Sequence, residues 1–259
     1  IRCFEDTNII HVEGKISPIS DLETIDTELI LSDLEIVQKR KEKIFKQLRS
    51  GDKATQSEHD LLEKLESGLN QNIPIRNIAI EENNKEFLKQ MQLVTGKPFF
   101  FIANLHEDEN KNTHLPELEG YAAKNNLSII KVFAKAEGEL VDLDQKEKKE
   151  YLNLLGLEEP ALNLVIKKGY EMLDLFSYFT AGPKEVRAWS VKTGSTAPEA
   201  AGKIHTDFER GFIKAEVISF EDYIESGSEL GAKEQGKLKM EGKEYIVQNG
   251  DVIHFKFNV

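Results

Sequence analysis

Phe99-Phe100-Phe101-Ile102-Ala103-Asn104-Leu105-His106-Glu107 is the stretch whose reading decides the fold. Its five leading apolar residues follow Gly96 and Pro98 and suit a strand buried on both faces, the kind usually found parallel and central in a sheet. The run ends in Asn104 and Glu107, and in open α/β sheets ligands sit at the carboxyl ends of strands. An Asn side chain offers one acceptor and two donors and so can bond the edge of a purine, whereas a carboxylate only accepts. N-x-x-E at a strand end is therefore the layout of a base-reading motif. On the residues alone, a strand end followed by a polar turn with no ligand fits as well.

On the amino-terminal side of this strand, residues 73–80 read as a short β-prone piece and 84–91 as a helix. On the carboxyl side, 115–125 reads as a helix and 128–133 as a second buried strand. Strand, helix, strand in that order predicts a parallel sheet with right-handed crossovers. The second strand runs into Ala134-Lys135-Ala136-Glu137-Gly138, a loop whose backbone could close over a bound base, although such a loop needs no ligand to exist. Helices over 145–155 and 159–175 follow.

Residues 9–14 read as a short extended piece that Ser17-Pro18 breaks, and two amphipathic helices lie between it and this α/β part. Ser20 with Glu23 and Thr55 with Glu58 each have the spacing of a capping box. Residues 24–48 hold no Gly or Pro, and Ile30, Leu34, Val37, Ile44 and Leu48 keep a four-three spacing interrupted by Lys41. Gly51 ends the first helix, and Leu61, Leu62, Leu65 and Leu69 stripe the second. The prediction is an antiparallel hairpin over 20–71, since neither helix buries its stripe alone. Its tip is basic, with Lys39, Arg40, Lys41, Lys43, Lys46 and Arg49. A solvated face is the ordinary reading of such a run, and an arm that meets phosphate backbone is the sharper one.

Beyond Tyr178 the texture changes. Residues 186–191 and 213–220 alternate, 245–247 and 252–257 supply further strands, glycines punctuate them, and one helix is expected over 198–205. These features predict a small β-grasp-like domain over 178–259.

With 259 residues, 31% charged and 39% hydrophobic, the chain is long enough for one large or two moderate globular domains. No stretch approaches the roughly 18 apolar residues of a membrane span, so no membrane partner is expected. A single cysteine, Cys3, excludes an internal disulfide and a cysteine-based metal site, which fits a reducing, cytoplasmic setting. A net charge of -12 argues against coating nucleic acid by bulk electrostatics. No DNA partner is expected, and any RNA contact needs a local basic patch. Ile1-Arg2-Cys3-Phe4 reads as part of a strand with no leading segment, so an amino-terminal piece is expected to be missing.

Two motifs are set aside. Gly231-Ala232-Lys233-Glu234-Gln235-Gly236-Lys237 matches most of a phosphate loop, but Leu238 stands where a Ser or Thr would hold magnesium. His106-Glu107-Asp108-Glu109-Asn110 departs from a zinc-protease helix at Asn110, where the second histidine belongs. His205 and His254 read as packing or hydrogen-bonding histidines.

Three carboxyl-terminal blocks are long and specific: Tyr178 through Trp189, Ala197 through Phe212, and Tyr245-Ile246-Val247-Gln248-Asn249-Gly250-Asp251-Val252-Ile253-His254-Phe255-Lys256-Phe257-Asn258. They closely resemble the TGS domain of the YchF/Obg-like ATPase family, and Arg2-Cys3-Phe4 with Ile9 through Gly14 resembles the same family. The resemblance implies a P-loop nucleotide-binding domain of the OBG-type G class, its carboxyl part over 1–19 and 72–177, with a coiled-coil hairpin inserted at 20–71 and a TGS domain at 178–259. It implies a ribosome-associated, monomeric ATPase whose N-x-x-E motif, Asn104 to Glu107, replaces the N-K-x-D of GTPases. The aspartate of N-K-x-D accepts from two guanine donors that adenine lacks, so displacing it removes the advantage of guanine. By the same resemblance Asn104, Leu105 and Glu107 meet the base, with Ala134, Lys135 and Ala136 behind it. Lys39, Arg40, Lys43 and Lys46 are the candidate RNA contacts. ATP is the expected ligand, with Mg2+ held by residues outside these 259. Without the phosphate loop this polypeptide is not expected to hydrolyse ATP, and its alternative role is a non-catalytic ribosome-binding module.

Overall fold

A computed structural model describes residues 1–11, 14–47, 53–140, 143–182 and 185–258. Several expectations lie outside these residues: the strand character of Val12 and Glu13, the helix end at Leu48 and Gly51, the Arg49 cation, and Pro183-Lys184 of the first carboxyl-terminal block. The chain divides into two compact units, Ile1–Leu164 and Val165–Val259.

In the first unit, strands β1 (Phe101–Asn104) and β2 (Ile129–Val132) pair in parallel, Phe101 opposite Ile129 and Asn104 opposite Val132. On its other edge β1 takes the chain's first residues. Asn104 N–H donates to the Ile1 carbonyl at 2.7 Å, and Cys3 N–H donates to the Asn104 carbonyl at 3.0 Å. The strand is parallel and central, as its sequence predicts. It is not buried on both faces: Phe101 and Ala103 are buried, whereas Ile102 is 39% exposed. The face that meets Leu22, Leu118 and Ala122 is packed, whereas on the opposite face Ile102 is partly open and its β2 neighbour Ile130 is buried. The ladder also begins late, so Phe99 and Phe100 precede the strand. Phe99 instead lies against Phe101 and beneath the Arg76 guanidinium, 4.5 Å from its ring centre.

Helix α1 (Pro18–Gln47) and helix α2 (Lys53–Asn70) form the expected pair. Ile30, Val37 and Ile44 bury against Leu61, Leu62, Leu65 and Leu69. Lys41, the break in the stripe, reaches across to Glu66 at 2.8 Å and Glu63 at 3.4 Å. The capping boxes do not start these helices. Pro18 does not end a strand but opens α1, where its missing N–H is no loss, with Asp21 N–H on the Ser17 carbonyl. Ser20 and Glu23 lie within the first turns, and α2 begins at Lys53, ahead of Thr55. Residues 73–80 form no strand: Ile75–Asn77 is a single 3-10 turn with Ile75 buried under the hairpin, its N–H held by the Thr95 hydroxyl at 3.1 Å.

Helices α3 (Lys85–Met91) and α4 (Leu115–Lys124) flank β1 in sequence, and α5 (Ala134–Glu139), α6 (Gln145–Leu154) and α7 (Ala161–Met172) follow β2. The expected loop at 134–138 is therefore the short helix α5.

The second unit holds a five-stranded sheet in the order β4-β3-β7-β5-β6, with β3 (Leu175–Ala181), β4 (Val186–Lys192), β5 (Phe212–Ile218), β6 (Lys239–Glu241) and β7 (Val252–Phe257). β3 and β7 run parallel, and the remaining neighbours are antiparallel. Helices α8 (Ala197–Ile204) and α9 (Thr206–Arg210) precede β5, whereas α10 (Phe220–Ser226) and α11 (Glu229–Glu234) lie between β5 and β6. Tyr178, Ala200, Ala201, Val217, Ile253 and Phe255 fill the core. The unit starts ahead of residue 178 because Tyr178 is the buried middle of β3. Residues 245–247 form a single bridge, Thr196 to Ile246, not a strand.

Candidate nucleotide-base site

Asn104 is the last residue of β1, and its backbone is fully used by Ile1 and Cys3. Its side chain is half-buried and turned toward α5, Oδ1 accepting the N–H of Ala134 at 3.3 Å. Among the described residues its Nδ2 has no partner, which leaves a donor at the carboxyl end of a parallel strand, where α/β sheets place their ligands. The structure thus joins Asn104 with Ala134 and its exposed neighbour Lys135.

The other expected residues are placed differently. Leu105 is 5% exposed, and its N–H is spent on the Val132 carbonyl at 2.8 Å, so that amide is closed to a ligand. Ala136 is fully buried on the inner face of α5, so the contact of this helix with Asn104 is made at its opening residue, Ala134. Glu107 is exposed and has no described hydrogen bond. Its charge is felt at Tyr151, whose phenol is held above its ordinary value first by desolvation and then by the Glu107 and Glu139 carboxylates.

Residues that carry no sequence signal complete the surroundings. The Asn112 side chain accepts His106 N–H at 2.8 Å and donates to the His106 carbonyl at 2.8 Å. His106 Nδ1 accepts Asp108 N–H at 2.9 Å, and its ring meets Phe4 edge-on. Side-chain clamps of this kind follow no periodicity, and only the folded loop reveals them.

The basic run of the hairpin is partly spent within the protein. Lys39 is paired with Glu35, and Arg40 lies 3.8 Å from Glu58 with its guanidinium over Phe87. Lys43 and Lys46 are exposed and, among the described residues, carry no ion pair.

Comparison with known proteins supplies the context. The chain is 46% identical over 263 residues to the Ribosome-binding ATPase YchF of Bacillus subtilis and 48% identical over 261 residues to that of Haemophilus influenzae, spanning all of this chain and 72% of each relative. The chain belongs to the YchF family. Residues 175–258 match the family YchF-GTPase_C, described as a protein of unknown function (DUF933). The Schizosaccharomyces pombe YchF GTPase superposes with a TM-score of 0.82 at 33% identity, covering 99% of this chain and 70% of its own.

Within this YchF-family chain the near-phosphate-loop at 231–237 is α11 and the turn after it, and Lys237 is consumed by Glu225 at 2.6 Å and Asp222 at 3.0 Å. Two side-chain groups among the described residues have ligand-like spacing, His59-Asp60-Glu63 and Glu216-Glu229-His254. Each has an ammonium beside one of its two carboxylates, Lys41 at 3.4 Å from Glu63 and Lys256 at 3.2 Å from Glu216. No helix among the described residues is long and apolar enough to cross a membrane.

Proposed function

We propose that the protein is a monomeric, ribosome-binding ATPase that takes ATP in preference to GTP. The observation that carries this reading is the identity of 46–48% over the whole chain with relatives named Ribosome-binding ATPase YchF. The site chemistry is consistent with it. Asn104 Nδ2 supplies a donor for a ring-nitrogen acceptor on a purine edge, and the Glu107 carboxylate supplies an acceptor for the exocyclic amine of adenine. Ala134 and Lys135 border the same strand end. In this reading the first unit is the carboxyl part of the nucleotide-binding domain with the α1–α2 hairpin as its coiled-coil insertion, and the second unit, which begins ahead of residue 178, is a TGS domain of β-grasp type. The phosphate loop and the Mg2+ ligands are expected outside the 259 residues; the metal supplies charge neutralisation on the phosphates.

Calorimetric titration with ATP and GTP tests the base-reading, using the protein together with its phosphate-binding segment. Asn104→Ala is expected to weaken ATP at least tenfold, about the worth of a hydrogen bond in a desolvated site. Unchanged ATP affinity would remove the assignment.

A second reading concerns residues 1–259 by themselves. They contain no G-x-x-x-x-G-K-[ST] motif, which favours a ribosome-binding module without turnover. Expressed alone, they are expected to co-sediment with ribosomes and to release no phosphate from ATP.

A further inference from the structure

The ladder that positions Asn104 ends one residue later. Leu105 is the last residue held by the sheet, through its N–H on Val132 and its buried side chain. Glu107, two residues on, is exposed and lacks a described partner of its own. A carboxylate in that position reads a base only if the backbone beneath it is fixed. Between the two lies His106, and its amide and carbonyl are both taken by one side chain, Asn112, at 2.8 Å each. For this one residue the amide side chain does what a neighbouring strand would do.

We propose that Asn112 is a positioning residue for base recognition, extending the order of β1 past Leu105 so that the Glu107 carboxylate stands beside Asn104; this rests on the base-reading proposed above. Three features support the assignment. First, Asn112 is itself anchored on both sides, because Lys111 accepts at its carbonyl from Glu5 N–H at 3.0 Å and His114 N–H donates to the Cys3 carbonyl at 3.3 Å. Cys3 also bonds Asn104, and Glu5 lies two residues beyond it, so Asn104 and Asn112 are held by one amino-terminal segment. Second, the packing around His106 leaves its ring seated, edge-on to Phe4 and bonded through Nδ1 to Asp108 N–H. Third, the two-point contact needs a donor and an acceptor on one short planar group, which Asn provides at this reach and no other side chain of its length does. Asp would keep the acceptor and turn a second oxygen toward the His106 carbonyl.

Affinities for ATP and for GTP, measured separately by calorimetry on Asn112→Ala, Asn112→Asp and Asn104→Ala, test the proposal. Amide hydrogen exchange at His106 and Glu107 is followed in the same proteins. Loss of the clamp is expected to speed exchange at His106 at least tenfold and to lower the ratio of ATP to GTP affinity about tenfold while GTP affinity stays near its starting value. Asn112→Asp, which keeps the acceptor for His106 N–H but sets an oxygen against the His106 carbonyl, is expected to lower the ratio in the same direction with a smaller rise in exchange. Equal weakening of both nucleotides would mark a general loss of structure and overturn the positioning role, as would unchanged exchange at His106 or an unchanged ratio. If Asn104→Ala also leaves ATP affinity untouched, the base-reading itself falls and takes the inference with it. A protein sensitive at Asn104 and insensitive at Asn112 overturns the inference alone.

Discussion

Asp33 on α1 grips Thr95, accepting its backbone N–H at 2.7 Å and its hydroxyl at 2.6 Å. The other carboxylate oxygen takes Val94 N–H at 2.8 Å, and the Thr95 hydroxyl in turn accepts Ile75 N–H. Both side chains are essentially without solvent contact. The pair fastens the helical hairpin to the turn that leads into β1, six residues before Phe101, and so couples the arm to the strand that carries Asn104.

Removing that carboxylate leaves two amides and a hydroxyl without partners in the interior. A buried group left unsatisfied costs about 1–3 kcal/mol, and the three share one site, so Asp33→Ala is expected to lower stability by about 3 kcal/mol in urea titration. Asp33→Asn is expected to rescue little, because its NH2 would face donors. A loss under about 1 kcal/mol for Asp33→Ala would mean that water or a local shift replaces the carboxylate.

How far the sequence reveals these features depends on the range of the interaction. The apolar stripe of α1, the strand-helix-strand order of β1, α4 and β2, and the strands β5 and β7 rest on local patterns, and they are found close to where the sequence places them, although β5 stops at Ile218 and Phe220 opens α10. β3 was hidden because Leu175 to Ala181 continues the apolar character of α7, and periodicity alone does not divide a buried helix from a buried strand. Pro18 shows the reverse case, a residue read as a breaker that is well suited to open a helix. At the candidate site Asn104 is legible as a polar residue ending an apolar run. Asn112 and Asp33 are not, since each acts across a distance that only the fold closes. The burial of Ala136 follows from α5, a helix that Ala134-Lys135-Ala136-Glu137-Gly138 is too short and glycine-ended to announce in the sequence.

The cations of the hairpin are unequal, and the difference predicts their use. Lys39 and Arg40 already face Glu35 and Glu58, whereas Lys43 and Lys46 are exposed without a described ion pair. If the arm meets ribosomal RNA, Lys43→Glu with Lys46→Glu is expected to weaken ribosome co-sedimentation more than Lys39→Glu with Arg40→Glu. Each lost phosphate contact lowers the slope of log affinity against log salt by about 0.7–0.9, so the first double variant is expected to lower it by about 1.5. An unaltered slope would return the run to a solvated face.

Two phenols make the second unit sensitive to alkali. Tyr178 is fully buried and donates to the Ala200 carbonyl at 2.8 Å, and burial pushes its phenol far above the ordinary value. Tyr245 donates to Asp251 at 2.8 Å; partial burial raises its phenol first, and the Asp251 carboxylate raises it further. In an unfolded chain both ionise near pH 10. Because the folded values are higher, the stability they contribute is present in full below about pH 10 and is lost as pH rises from there toward the folded values. Thermal unfolding of the second unit is therefore expected to hold steady from pH 7 to 9 and to fall beyond 10. Tyr178→Phe removes the bond to the Ala200 carbonyl and is expected to cost about 1 kcal/mol at neutral pH, while Asp251 in Tyr245→Phe still receives Gln248 N–H at 2.8 Å. With both replaced, the fall above pH 10 should become markedly shallower. An unchanged alkaline limb in the double variant would place its origin in other groups.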